Sequence, residues 1–153
     1  MPHKPDGYTI FCDDIRQEVG NKWSLMGIYG AELFVSEPFP FNMPRMGFHV
    51  VFKDDPRAPL KNLTLCIFLP GDPDDKPTYK AEIAGSEDQI PPPPDDLDPN
   101  ARRTFAINII LNSLTLKETG KIKVRMLVDG QEVKLGTLRV RHAEPPSQAW
   151  PTF

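Results

Sequence analysis

The sequence predicts an all-β fold, a two-layer antiparallel β-sandwich of eight or nine strands with an immunoglobulin-like or C2-like topology. Three observations predict it. Apolar residues recur with a period of two through Leu63, Leu65, Ile67 and Leu69, through Phe105, Ile107, Ile109 and Leu111, and through Ile122, Val124, Met126 and Val128. That period gives each strand one apolar face, and no 3.6-residue stripe competes with it. Proline supplies 18 of 153 residues, against a usual ~5%. Because proline is excluded from helix interiors and central strands, this density implies short elements joined by stiff connections. With 39% hydrophobic and 25% charged residues, a chain of this length can bury a real core as one domain.

The first predicted element is a hairpin around Gly20-Asn21. In the register of a two-residue turn, Glu18 faces Trp23, Ile15 faces Met26, Asp14 faces Gly27 and Cys12 faces Tyr29. Strands then follow near 31–35, 46–53, 61–69, 78–83 and 104–116. The segment 84–103 reads as a loop rich in proline and aspartate. Its Pro91–Pro94 run fits an extended, solvent-exposed polyproline II spacer, and Pro99 is followed by room for one helical turn. The last hairpin turns at Asp129-Gly130, a pair suited to a type I′ turn with two positive φ values. It sets Met126 opposite Val133, Val124 opposite Leu135 and Arg125 opposite Lys134. A bulge at Gly136-Thr137 then brings Leu138 opposite Ile122. Residues 1–144 form the expected single domain, and 145–153 a tail in which Trp150 and Phe153 fold back or meet another subunit, being costly to leave in water.

Charge is unevenly placed. The net charge is −3, yet residues 71–99 hold nine acids against two lysines, and residues 101–141 hold nine Lys/Arg against three acids. The face of the last hairpin opposite its apolar one carries Lys121, Lys123, Arg125, Lys134, Arg139 and Arg141. This is the predicted binding surface, for a protein partner or a second copy of the chain. Nucleic acid is the weaker reading, because net charge is negative and no exposed aromatic is interleaved with these bases in the way single-strand binders use. The N-terminus lacks a leader pattern and no apolar run reaches the ~20 residues of a membrane span. A cytoplasmic location is expected, with Cys12 and Cys66 as free thiols and the sequon at Asn62 unused.

Signatures of enzymes are missing from the chain: there is no HExxH, CxxC pair, G-x-S-x-G or phosphate-binding glycine loop. Cys12 with His49 as base is the one arrangement left for a hydrolase, and nothing local activates that thiol. No cofactor is implied. A calcium-dependent module is the stronger alternative. Asp13, Asp14, Asp54, Asp72, Asp74 and Asp75 would have to converge from separate loops to supply six to eight oxygens. The main reading is a non-enzymatic binding or scaffolding sandwich.

"FCDDIRQE" followed by "KWSLMGIYG" resembles an uncharacterised family of small bacterial proteins, a domain of unknown function. The residues that carry the likeness are Cys12, Asp13, Asp14, Ile15 and Arg16, then Lys22, Ser24, Leu25, Gly27, Ile28, Tyr29 and Gly30. It implies a bacterial source and one domain, and brings no activity, substrate or catalytic residue. Within this block adjacent strand residues point to opposite faces, so Asp13 and Asp14 cannot share one strand-face site. Asp14 has Arg16 as its natural partner two residues on. Asp13 needs backbone donors or a break in the strand. The block is therefore expected to act as a structural lock made by Asp13, Asp14 and Arg16.

Overall fold

A computed structural model describes residues 3–59, 62–83 and 93–144. Among these the chain forms ten strands: β1 (Asp6–Cys12), β2 (Asp14–Glu18), β3 (Lys22–Met26), β4 (Glu32–Val35), β5 (Phe41–Asp54), β6 (Leu63–Phe68), β7 (Tyr79–Ile83), β8 (Arg103–Leu116), β9 (Gly120–Val128) and β10 (Gln131–His142). The order is β1-β5-β8 in one sheet and β4-β10-β9-β6-β7 in another, with β2-β3 as a separate hairpin. The tail 145–153, with Trp150 and Phe153, and Pro91-Pro92 of the proline run lie outside the described residues.

The period-two pattern explains the core. Phe48, Val50 and Phe52 of β5 and Ile109 of β8 face Leu65 and Ile67 of β6, Ile122, Val124 and Met126 of β9 and Leu135, Leu138 and Val140 of β10. These side chains, drawn from both large sheets, make one buried cluster, the defining feature of a β-sandwich. The β5–β8 ladder keeps a constant register from Phe41↔Leu116 to Asp54↔Arg103, but its buried face changes part-way. Phe48 and Met46 are buried at even positions of β5, whereas Met43 is buried at an odd one. The switch falls where Pro44, which has no N–H to donate, meets Ser113 at φ 60°. Both strands turn over together there, so the ladder continues while the core face is exchanged.

Several expectations need correction. The first predicted strand is broken at Asp13, which raises the count to ten. The β2–β3 turn has three residues, Val19, Gly20 and Asn21, the last two at φ 85° and 59°. Glu18 therefore pairs with Lys22, Ile15 with Leu25 and Asp14 with Met26, one residue from the predicted register. This places opposite charges across the ladder instead of Glu18 against Trp23. The sandwich is not wholly antiparallel, because β4 runs parallel to β10 through Glu32↔Arg139 to Val35↔His142. After Pro99 there is no helical turn. A single turn with Ala101 N–H donating to Asp98 O at 2.9 Å leads into β8.

The last hairpin follows the sequence closely. Asp129 and Gly130 have φ 49° and 83°, Met126 faces Val133, Ile122 faces Leu138, and the bulge falls between Lys134 and Thr137. The far end of β5 is fixed differently. Asp54 accepts from Arg103 Nε at 2.8 Å and Nη2 at 2.6 Å, with side-chain exposures of 11% and 14%. Next to it, buried Asp55 accepts from His3 N–H, Arg57 N–H and the Arg57 guanidinium at 3.0, 2.9 and 3.2 Å. An open cleft of ≈ 770 Å³ adjoins this cluster between Ala58, Leu97 and Asn100.

Breaking one partner of a buried pair leaves the other charge unpaired, whereas removing both does not. Arg103→Met is therefore expected to cost about 3–5 kcal/mol in urea unfolding. The Asp54→Leu/Arg103→Met double variant should lose less than the two single variants summed, by a coupling energy of at least about 1–3 kcal/mol.

Candidate functional site

The outer face of the five-stranded sheet collects the charged positions that alternate with the core. Lys121 lies opposite Arg139, and Arg125 opposite Lys134. Lys121, Lys134, Arg139 and Arg141 are exposed and Lys123 is half-buried. Thr119, Gly120, Lys121, Arg139, Arg141 and His142 border a shallow concavity of ≈ 320 Å³ at the start of β9 and the end of β10. Arg141 Nη1 is 3.2 Å from Glu32 Oε1 on β4. Among the described residues no ion pair engages Lys121, Lys123, Lys134 or Arg139, and none reaches this face from the acidic 71–99 segment.

Arg125 does not belong to the accessible set. It is 8% exposed and donates from Nη1 to Val124 O at 2.9 Å and to Gly136 O at 3.2 Å. Its Nε lies 3.4 Å from Glu132. A guanidinium can satisfy several carbonyls at once, and here it holds the carbonyl exposed by the β10 bulge. The Glu132 carboxylate offsets the like charge of Lys134 across the ladder. Phe34 and Phe68 are half-buried on this same face, opposite Arg141 on β10 and Lys123 on β9.

The six aspartates proposed as calcium ligands do not converge. Among the described residues there is no group of three or more His, Cys, Asp or Glu side chains placed to hold a metal. Each carboxylate that makes a recorded contact has a local task. Asp54 belongs to Arg103. Asp72 Oδ2 accepts from Leu69 N–H at 2.9 Å, Thr78 N–H at 3.0 Å and Thr78 Oγ1 at 2.6 Å, closing its own loop. Asp74 and Asp75 are exposed in that loop.

Asp13 and Asp14 each have side-chain partners, which include residues distant in sequence besides the indicated Arg16. Asp13 N–H is shared between Met26 O at 2.9 Å and Gly27 O at 3.1 Å. Its Oδ1 accepts from Tyr29 O–H at 2.6 Å. Gly27 sits at φ 66°, and a Cβ there would be 2.2 Å from Asp13 Oδ2, so only glycine fits. Asp14 Oδ1 accepts from Arg45 Nη2 at 2.8 Å and Nε at 3.1 Å, with Arg16 at 3.6 Å. The Arg45 hydrogen bonds hold the Asp14 carboxyl below its ordinary value, assisted by Ile15 N–H and by the charges of Arg45 and Arg16. Sequence separation hides Arg45, Tyr29 and Arg103. Of these only Tyr29 had a signal, since the predicted hairpin already set it opposite Cys12, next to Asp13.

The lock docks the β2–β3 hairpin on the outer face of the three-stranded sheet. Gly47 leaves the room there: a Cβ on it would meet Cys12 Sγ at 2.9 Å, Ile15 at 3.0 Å and Ile110 at 3.3 Å. The Trp23 ring lies 6.1 Å from that of His49. His49 Nδ1 is 2.6 Å from Asn108 Oδ1. Cys12 is fully buried, and burial first, then the nearby Asp13 charge, raises its thiol pKa. That environment keeps sulfur protonated, whereas nucleophilic cysteines are found with lowered pKa.

A β-sandwich with a docked outer hairpin, and with no metal-ligating cluster among its described residues, defines the class of protein. The chain belongs to DUF6941, a family of unknown function, whose model matches residues 7–141. The matched span begins inside β1 and ends inside β10. No curated protein matches the chain, and no solved structure does. No helix among the described residues is long and apolar enough to cross a membrane.

Burial first, and then the Asp13 hydrogen bond and charge, raise the Tyr29 phenol far above its ordinary value of 10.0. A raised folded pKa stabilises the native state below the unfolded value, and the contribution is lost as pH rises through the folded one. At pH ~11, about a unit above a free phenol, ultraviolet difference spectra should show Tyr29 ionising only when denaturant is added. Tyr29→Phe should abolish that step. Iodoacetamide should alkylate Cys12 in the native protein at least about 100-fold more slowly than in urea, read by peptide mass spectrometry.

Proposed function

We propose that this chain is a non-enzymatic, cytoplasmic binding module: a single β-sandwich domain of immunoglobulin-like or C2-like type that receives an acidic protein segment on the outer face of its five-stranded sheet. The observation that carries the reading is the exposed pair Lys121 and Arg139. They face each other across the ladder beside Arg141, and no carboxylate pairs with either of them among the described residues. Like charges directly opposite destabilise a sheet. An anionic partner removes that repulsion, and the concavity bounded by Thr119 and His142 gives a carboxylate a place to sit. The buried state of Cys12 and the local roles of the aspartates support a binding role over hydrolysis or calcium-dependent docking. The half-buried Phe34 and Phe68 give the surface an apolar component that an acidic peptide with apolar residues would use.

The test uses a fluorescent peptide of alternating glutamate and leucine, with single-stranded DNA of equal charge in a parallel titration. Binding to the peptide should weaken with added salt. Reversing both charges, in Lys121→Glu/Arg139→Glu, should weaken it about tenfold or more, as two rim charges of ~0.5–1 kcal/mol each require. No peptide binding, or affinity unchanged in the variant, would remove the proposal. Tighter binding of the DNA would replace it with the nucleic-acid reading.

A further inference from the structure

We infer that β8 is a self-association edge: two copies of the chain pair β8 with β8, antiparallel about a two-fold axis, and join their three-stranded sheets into one of six strands. The inference does not depend on the basic face. In the order β1-β5-β8 the last strand has a ladder partner on one side only among the described residues. It runs for 14 residues and turns over at Ser113, so the regular part of the edge is residues 103–112, about 34 Å of backbone at ~3.4 Å per residue. Thr104–Leu116 contains no charged residue and no proline. Such an edge is an open template for another strand, and proteins ordinarily blunt one with lysine, proline, a bulge or short length.

The chain's other edges carry those devices. β7 has five residues and includes Lys80 and Glu82. β4 has four and begins with Glu32. β1 is met at its end by Tyr29 N–H, donating to Phe11 O at 2.8 Å. The Leu135-Gly136 bulge also crowds it, since a Cβ on Gly136 would lie 3.3 Å from Thr9 Cβ. Among the described edge strands, only β8 combines length with a lack of charge over 104–116.

Charge also selects the occupant. A strand pairing with its own copy sets its residues against themselves, so a charged strand meets like charges near the axis. Thr104–Leu116 raises no such repulsion in any register within the run. Both faces of the strand have apolar surface to cover: Phe105, Ile107 and Leu111 on the core side and Ile110 on the outer side are each only half-buried. A neighbouring copy of β8 presents the same residues to them, which makes the contact isologous and closed at two chains.

The experiment is sedimentation velocity of the full chain from ~1 to ~100 µM, where mass action separates monomer from dimer, together with amide hydrogen exchange at both ends of that range. Ala106→Lys is the test variant. Ala106 is exposed on the outer face of β8, so the lysine reaches solvent in the monomer, and circular dichroism checks that the variant is folded. The wild-type chain should become dimeric as concentration rises, and exchange across 104–116 should slow in step. Ala106→Lys should weaken the dimer at least about tenfold, while Lys121→Glu/Arg139→Glu leaves the dimer constant unchanged. A wild-type chain that stays monomeric at ~100 µM overturns the inference, and so does a dimer indifferent to Ala106→Lys. Protection of 104–116 that is independent of concentration would mean that the chain covers its own edge, and would equally overturn it.

Discussion

The arrangement depends on what happens at one residue. Asp13 is where the chain stops pairing with β5 and begins the β2–β3 hairpin. Its N–H no longer serves the three-stranded sheet and is shared between Met26 O and Gly27 O. Its carboxylate takes the Tyr29 hydroxyl, and Tyr29 N–H returns to Phe11 O, on the strand just left behind. The break therefore leaves the Asp13 N–H and the Phe11 carbonyl bonded, as a backbone passing over a core requires. If the strand had continued, Ile15 and Leu25 would have no sheet to cover, and Cys12, Gly47 and Ile110 would face water.

The same economy governs the two ends of the long β5–β8 ladder. At one end the bidentate Asp54–Arg103 pair sits on the last ladder step and resists fraying. At the other, Pro44 and Ser113 exchange the buried face without a register shift, which lets Met43, Leu114 and Leu116 rejoin the core. β10 solves a related problem with its bulge. Inserting one residue keeps Leu135 and Leu138 both inward, and the carbonyl it exposes at Gly136 is taken by Arg125. Bulge and arginine form one device.

This division shows which features were legible in the sequence. Strand existence, the inward sets on β6, β8 and β9, the Asp129-Gly130 turn and the need for a bulge all follow from local rules of period and turn chemistry. The break at Asp13 was readable as a condition, because two adjacent aspartates could not both be satisfied on a regular strand. What decided the rest lies far apart in the chain. Arg45 reaches Asp14, Tyr29 reaches Asp13, and β4 pairs parallel with the last strand. The three-residue turn at Val19–Asn21 was missed because Gly20-Asn21 alone satisfies the two-residue rule. The basic face was legible as a stripe, yet Arg125 shares its period with Lys121 and Lys123. Only the bulge beside it and Glu132 give this one member the partners that take it out of the accessible set.

The remaining charges then acquire weight from what the fold does with the others. Most described ion pairs hold segments together: Asp54 with Arg103, Asp14 with Arg45, Asp6 with Arg102, Glu32 with Arg141. Arg125, set opposite Lys134, has that repulsion offset by the Val124 and Gly136 carbonyls and by Glu132. Lys121 and Arg139 face the same penalty and receive neither remedy among the described residues. A glutamate at either position would stabilise the ladder by an amount comparable to other cross-strand ion pairs, roughly 0.2–1 kcal/mol. Stability alone therefore argues against two cations at these positions. Their position directly opposite each other on an open concavity, with no carboxylate paired to either among the described residues, is the physical ground on which the binding proposal rests.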